Sequence, residues 1–125
     1  MKKKVKPLVS VVMSVFNPEK HAILAIESIL NQTLKNFEFI IVNDASKNQT
    51  LKPIHSYIRK DKRIRLINNE RELRLSSSLN IGVSCAKADL IARMDPDDIS
   101  LPERLEEQFL FLKKYSSACG EVWCA

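Results

Sequence analysis

"LVSVVMSVFNPEKHAILAIESILNQTLKNFEFIIVND", residues 8–44, is the stretch whose reading decides the fold. Residues 8–16 form a valine-rich apolar run, the pattern of a strand covered on both faces. Asn17-Pro18 ends it and can cap a succeeding helix. Ala22, Ile23, Ile26, Ile29 and Leu30 then recur at three-and-four spacing, one stripe of an amphipathic helix. "FEFIIVN" (37–43) is a second apolar run. Strand, helix and strand in this order make one β-α-β unit.

The alternation continues outward. "DASKNQT" is a polar turn, and a helix to about Lys60 comes next, with Pro53 expected near its beginning because an interior proline breaks a helix. "RIRLI" (63–67) is a short third strand and "NNERELR" a charged loop. Leu75, Leu79, Val83 and Ala86 recur at helical spacing, and "ADLIARM" (88–94) is a fourth strand. Ser100 and Glu103 form a capping-box pattern before a helix with the stripe Leu101, Leu105, Phe109 and Leu112. "EVWCA" (121–125) reads as the start of a fifth strand. The expectation is one α/β domain over residues 1–125: a mostly parallel sheet with helices on both faces. Such sheets bind ligands beyond the carboxyl ends of their strands.

Composition narrows the function. Hydrophobic residues at 45% and charged residues at 28% of 125 are ordinary for a globular domain. Cys85, Cys119 and Cys124 match no paired zinc spacing and read as reduced thiols. The net charge of +5 comes partly from Lys2, Lys3 and Lys4, which would favour an anionic surface. With aromatics at 6% and no nucleic-acid module, nucleic acid is not expected as a partner. The basic start and apolar run imitate a signal peptide, but the run is short, β-branched and interrupted by serine. No stretch approaches the ~20 apolar residues of a membrane span. Dinucleotide, Walker and serine-hydrolase glycine motifs are missing from a chain with two glycines, Gly82 and Gly120. His21 and His55 read as surface residues, Met94 and Phe109 as core, and Cys85 as a buried thiol.

Polar residues gather at the strand ends. Ser14 and Asn17 stand after strand one, Asp44 and Ser46 after strand two, and Asn68, Asn69 and Arg71 after strand three. Asp95, Asp97 and Asp98 stand after strand four in "RMDPDDISLPER" (93–104). Singly, each is explained by turns and helix starts. A helix start needs one or two acceptors, however. Two carboxylates ~5 Å apart repel by roughly 3 kcal/mol at an effective dielectric of 20. A shared divalent cation removes that repulsion, and Mg²⁺ or Mn²⁺ completes its shell with phosphate and water. Asp-x-Asp after a strand is therefore suited to bridge a metal to a diphosphate.

The stretches "VSVVMSVFN", "AIESILNQTLKNFEFIIVNDAS", "RIRLINNE", "SLNIG" and "IARMDPDDISLPERLEEQ" resemble, in order and spacing, the N-terminal half of family 2 glycosyltransferases with the Rossmann-like GT-A fold. The resemblance runs from about Val9 to Leu112. It implies inverting transfer of a sugar from a nucleotide diphosphate sugar, a UDP-sugar first of all, to a saccharide or lipid-linked acceptor in polysaccharide or lipopolysaccharide assembly. It implies Mn²⁺ or Mg²⁺ as cofactor. Ser14, Phe16 and Asn17 would line the base and ribose pocket, and Asp44 would accept a hydrogen bond from the base. Asp95 would lie by the ribose and diphosphate and Asp97 would coordinate the metal, so the metal residues are Asp97 and Asp95. Asp98 would support them, and Arg71 or Arg93 would face the phosphates.

The sequence departs from that pattern at Ser14, where proline is common, at Asn43 and Ala45, and at Arg74, where a glycine usually stands. The acceptor-activating base would lie beyond Ala125, so the catalytic base is unassigned and the fold is expected to be C-terminally truncated. The place of action implied is cytoplasmic, with peripheral contact at the inner membrane face through the N-terminal lysines. The alternative is a non-catalytic nucleotide-binding remnant, or a fragment whose open sheet edge makes a homodimer. A phosphoacceptor domain, which also clusters acids at strand ends, fits less well because its lysine after the last strand is not evident.

Overall fold

A computed structural model describes residues 6–119 of the chain. The elements are β1 (Val9–Val15), α1 (Lys20–Leu30), β2 (Phe37–Asn43), α2 (Asn48–Lys60), β3 (Ile64–Asn68), α3 (Arg74–Ser84), β4 (Leu90–Met94) and α4 (Arg104–Cys119). The four strands pair in parallel in the order β3-β2-β1-β4. The α/β class, the parallel sheet and the helices on both faces are as the sequence implies. The expected fifth strand and Lys2 to Lys4 lie outside the described residues.

Alternation along the strands sorts the core into two layers. Val11 stands opposite Phe39 and Ala92, and Phe39 opposite Ile64. These side chains pack with Val9, Met13, Val15 and Ile41 against Ala25, Ile26 and Ile29 of α1, Leu51 and Ile54 of α2, and Leu105 of α4. Val12, Ile40 and Val42 point the other way, against Leu79 and Val83 of α3. Each fully buried side chain of this size contributes about 1.5–3 kcal/mol. All seven residues of β1 and of β2 are buried, which is why both read as largely apolar runs.

Helix α3 departs from the expected stripe. Leu75 is exposed, Leu79 and Val83 are half-buried, and the fully buried positions are Ser78 and Gly82. Gly82 is so close to the sheet that a Cβ there would stand 2.4 Å from Val12 Cγ1. Small residues, rather than large apolar ones, let this helix lie on β1 and β2.

Two further expectations are corrected. Pro53 is the sixth residue of α2, not at its start. It is exposed, and it deprives only one carbonyl, that of Gln49, of its i+4 amide donor, so the helix runs through. The Ser100–Glu103 box does not form. Helix α4 begins at Arg104, and the Ser100 hydroxyl meets Met94 Sδ at 3.3 Å and Arg104 at 2.9 Å. The cap is Gln32, fully buried, whose Oε1 accepts from the Leu105 amide at 3.0 Å. Its Nε2 donates to the carbonyls of Leu101 (2.7 Å) and Ser28 (2.9 Å). Leu101 consequently falls outside the helix and is exposed.

Candidate functional site

The carboxyl ends of β1, β2 and β4 meet at one edge of the sheet, with β1 between its two neighbours. The strand order reverses at β1, with β2 and β3 on one side of it and β4 on the other, so this edge is the topological switch point where such sheets bind ligands. The residues at those ends fall into two groups.

The first group surrounds β1 and β2. Ser14 is buried on the face shared with α3, and Phe16 is 52% exposed at the rim. Asn17 has φ 45°, and its Oδ1 accepts from the Lys47 amide at 2.9 Å, tying the end of β1 to the start of α2. The Asn17 amide donates to Ser46 Oγ at 2.8 Å. Asn43 donates to Asn68 Oδ1 and accepts from the Ser46 amide, both at 2.9 Å, which fixes the turn in which Ala45 takes φ 60°.

Asp44 organises the floor of this group. It is 3% exposed, and its amide donates to the Val15 carbonyl at 2.8 Å. Its Oδ1 accepts from the Leu73 amide (2.7 Å) and Asn69 Nδ2 (3.0 Å), and its Oδ2 from the Arg74 amide (2.9 Å). Burial pushes its carboxyl up, but the hydrogen bonds from Leu73, Asn69, Arg74 and Ser78 prevail and hold it below the usual range. Asp44 thus caps the start of α3 from another strand, an anion where the helix dipole favours one. Arg74, the first residue of α3, sits at φ 70°. Left-handed backbone costs a side-chain-bearing residue about 1–2 kcal/mol.

The far end of α3 is pinned by a second carboxylate. Glu38 accepts from Ser10 at 2.5 Å, the Lys87 amide at 2.6 Å and Arg65 at 2.7 Å, and Arg65 also donates to the Cys85 carbonyl at 3.0 Å. Here a cation meets the helix C-terminus, the complement of Asp44 at its start.

The second group lies after β4. Asp95 is half-exposed, with its Oδ1 3.3 Å from Arg93. Asp97 and Asp98 are exposed, and neither side chain has a partner among the described residues. The loop carrying them is anchored to α1 through Gln32, through the Ser100 amide on Ser28 Oγ (3.0 Å), and through the Thr33 amide on the Pro102 carbonyl (2.8 Å). A cleft of about 800 Å³ opens between β4 and α4, lined among others by Arg93, Asp95, Asp98, Glu103 and Glu107.

The structure therefore brings Ser14, Phe16, Asn17 and Asp44 to one side of the switch point. It brings Arg93, Asp95, Asp97 and Asp98 to the other. Arg71 is exposed on the β3–α3 loop, near Leu73. Sequence reasoning missed Ser78 and Gln32, whose partners Asn69 and Leu105 are 9 and 73 residues away. Among the described residues no three His, Cys, Asp or Glu side chains form a ready metal cage. One or two unpaired hard oxygens beside a ligand-binding edge fit a cation that takes most of its shell from a diphosphate and water. No helix among the described residues is long and apolar enough to cross a membrane.

Known proteins agree with this geometry. The chain is 51% identical over 110 residues to an uncharacterized glycosyltransferase of Methanocaldococcus jannaschii, covering 86% of this chain and 38% of that one. It is 38% identical over 113 residues to the O-antigen biosynthesis glycosyltransferase WbnJ of Escherichia coli, covering 90% and 44%. The chain thus spans less than half the length of these relatives. Its fold matches TarS of S. aureus in complex with UDP-GlcNAc, with a TM-score of 0.79 at 23% identity over 86% of this chain and 32% of that one. It also matches the mannosyltransferase PcManGT of Pyrobaculum calidifontis in complex with GDP-Man and Mn²⁺, with a TM-score of 0.77 at 17% identity over 86% and 33%. The family model described as Glycosyl transferase family 2 matches residues 10–124, and the chain belongs to that family.

Proposed function

We propose that this chain is the donor-binding half of an inverting glycosyltransferase, taking a nucleotide diphosphate sugar through Mn²⁺ or Mg²⁺. The observation that carries the proposal is the pair Asp97 and Asp98, whose side chains have no partner among the described residues, beside half-exposed Asp95 at the carboxyl end of β4, next to the central strand. UDP is the first nucleotide to test, because a similar fold is known with UDP-GlcNAc; one with GDP-Man and Mn²⁺ makes GDP the second. The O-antigen relative supports a role in polysaccharide or lipopolysaccharide assembly, with a saccharide or lipid-linked acceptor. The basic N-terminus supports work on the cytoplasmic side, in contact with the inner membrane face.

Each residue then has a task. Phe16, exposed at the rim, covers the base, and Ser14 and the amide group of Asn17 border the ribose. Asp44 meets the base with its free acceptor capacity while it holds the start of α3. Asp97 holds the cation with Asp95, and Asp98 supports them. Arg71 faces the phosphates. Arg93 orients Asp95. The cation, when bound, offsets charge on the departing diphosphate. Among the described residues none is assigned to take the acceptor's proton.

Thermal unfolding with UDP, GDP or dTDP, with and without Mn²⁺, tests the proposal. A ligand at ~100 times its dissociation constant adds roughly 2.7 kcal/mol, a rise of roughly 10 °C for a domain of this size. The expected result is a rise with one nucleotide that needs Mn²⁺ and is lost in Asp97→Ala. No rise with any of the three would refute the donor site.

A further inference from the structure

Three non-glycine residues take left-handed backbone, Asn17, Ala45 and Arg74, and all stand at the edge above β1 and β2. Asn17 uses that conformation to reach Lys47, and Ala45 to close the turn held by Asn43. The Arg74 amide meets Asp44, but its side chain gains nothing from the conformation. Its side chain is exposed and has no hydrogen-bond or ion-pair partner among the described residues. Other arginines of the sheet and its edges are engaged: Arg63 with Asp61, Arg65 with Glu38, Arg93 with Asp95. Its backbone, by contrast, is fixed. Buried Asp44 takes the amides of both Leu73 and Arg74, so the turn cannot relax to suit the side chain. Glycine is the residue that such a turn favours. A long cation kept there, on a rigid root beside the proposed base pocket, is strain located at a ligand site.

Resting on the proposed donor site, we propose that Arg74 is a specificity-determining residue of that site, reaching from the left-handed turn held by Asp44 to pair with the diphosphate. Arg71, three positions earlier and also without a partner among the described residues, puts a second positive charge on the same loop. A guanidinium suits two phosphates because its planar fork donates to both at once. A lysine would supply the charge without the fork.

The test is calorimetric titration of the whole chain with UDP and with UMP in the presence of Mn²⁺, or with GDP and GMP if the guanine pair is the one bound. Arg74→Gly is expected to weaken UDP about tenfold and UMP much less. Arg74→Lys should fall between. The melting temperature of Arg74→Gly should not drop, since glycine fits the turn, so weaker binding is not a folding defect. Equal weakening of UDP and UMP would overturn the diphosphate contact. Unchanged or tighter UDP binding by Arg74→Gly would overturn it too, the latter showing that the side chain obstructs the site. If the unaltered chain binds none of these nucleotides, the donor site itself is refuted and Arg74 with it.

Discussion

Gly82→Ala is expected to destabilise the fold, although alanine is the better helix former. Propensity alone favours alanine by about 1 kcal/mol in a helix interior. The added Cβ would stand 2.4 Å from Val12 Cγ1 and 3.1 Å from Val42 Cγ2. Val12 is fully buried on the central strand and, being β-branched, is restricted at χ1, so it does not turn aside. Helix α3 has to lift by about 1 Å to regain ordinary contact. It is tied by Asp44 at one end and by Glu38 and Arg65 at the other, so lifting strains both. Overpacking of this kind costs about 1–3 kcal/mol. Against the propensity gain, a net loss centred on about 1 kcal/mol and reaching at most about 2 is expected. Urea unfolding reads it as a midpoint lower by about 0.5–1 M with an unchanged slope. The same substitution in a Val12→Ala background should be neutral or stabilising, because the obstruction is gone. An unchanged or higher midpoint in the single variant would refute the close seating of α3. An equal loss in both backgrounds would show that Val12 is not the obstacle.

Asp44→Ala strands the amides of Leu73 and Arg74 and the side chain of Asn69, and about 2–4 kcal/mol of stability should be lost, read by urea unfolding. Faster amide exchange at the start of α3 should accompany it, and uniform exchange across the sheet would count against a local role. Gln32→Ala removes the cap of α4, the hold on the Leu101 carbonyl of the acid-bearing loop and the contact with the Ser28 carbonyl of α1. A loss of about 2–3 kcal/mol is expected, together with weaker Mn²⁺-dependent nucleotide binding. Retained binding at that loss would separate the loop's anchor from the site. Burial raises the Glu38 carboxyl, but hydrogen bonds from Ser10, the Lys87 amide and Arg65 hold it below its ordinary 4.5. Its stabilisation is therefore full above about pH 4.5 and lost as pH falls through the lower folded-state value. Glu38→Gln should flatten the acid limb of a stability–pH curve, and an unaltered limb would assign that loss to other carboxylates.

Much of the frame was legible because burial repeats locally. The seven residues of β2 were read without error and β1 to within a residue at each end, since both are mostly apolar and buried along their whole length. The acids after β4 were visible as a cluster because they are neighbours in sequence. What the sequence hid were choices made between distant residues. Ser78 and Gly82 carry the inner face of α3, and a hydrophobic stripe cannot reveal a face chosen for smallness. Ser100 and Glu103 had the spacing of a box, but Gln32, on another helix end, reached the α4 amide first. Asp44 read as a ligand residue by resemblance, and nothing local showed that Leu73 and Arg74 would also hang from it. Arg74 could be noted as a substitution for glycine, but only the backbone showed that the glycine-like conformation persists.

The strand order has a consequence for how the molecule assembles in time. Ser10 on β1 meets Glu38 on β2 across 28 residues, whereas it meets Ala88, just before β4, across 78. Closing the longer loop costs about 1 kcal/mol more in chain entropy, and non-local pairings form slowly. The β3-β2-β1 portion with α1 and α2 can therefore collapse first, and β4 docks onto it afterwards. The aspartates proposed to hold a cation follow β4, so a chain caught before β4 docks has the proposed base pocket under construction but lacks the proposed grip on a cation. Metal-dependent nucleotide capture would then appear only in the slowest phase of refolding, making it a kinetic marker for completion of the sheet.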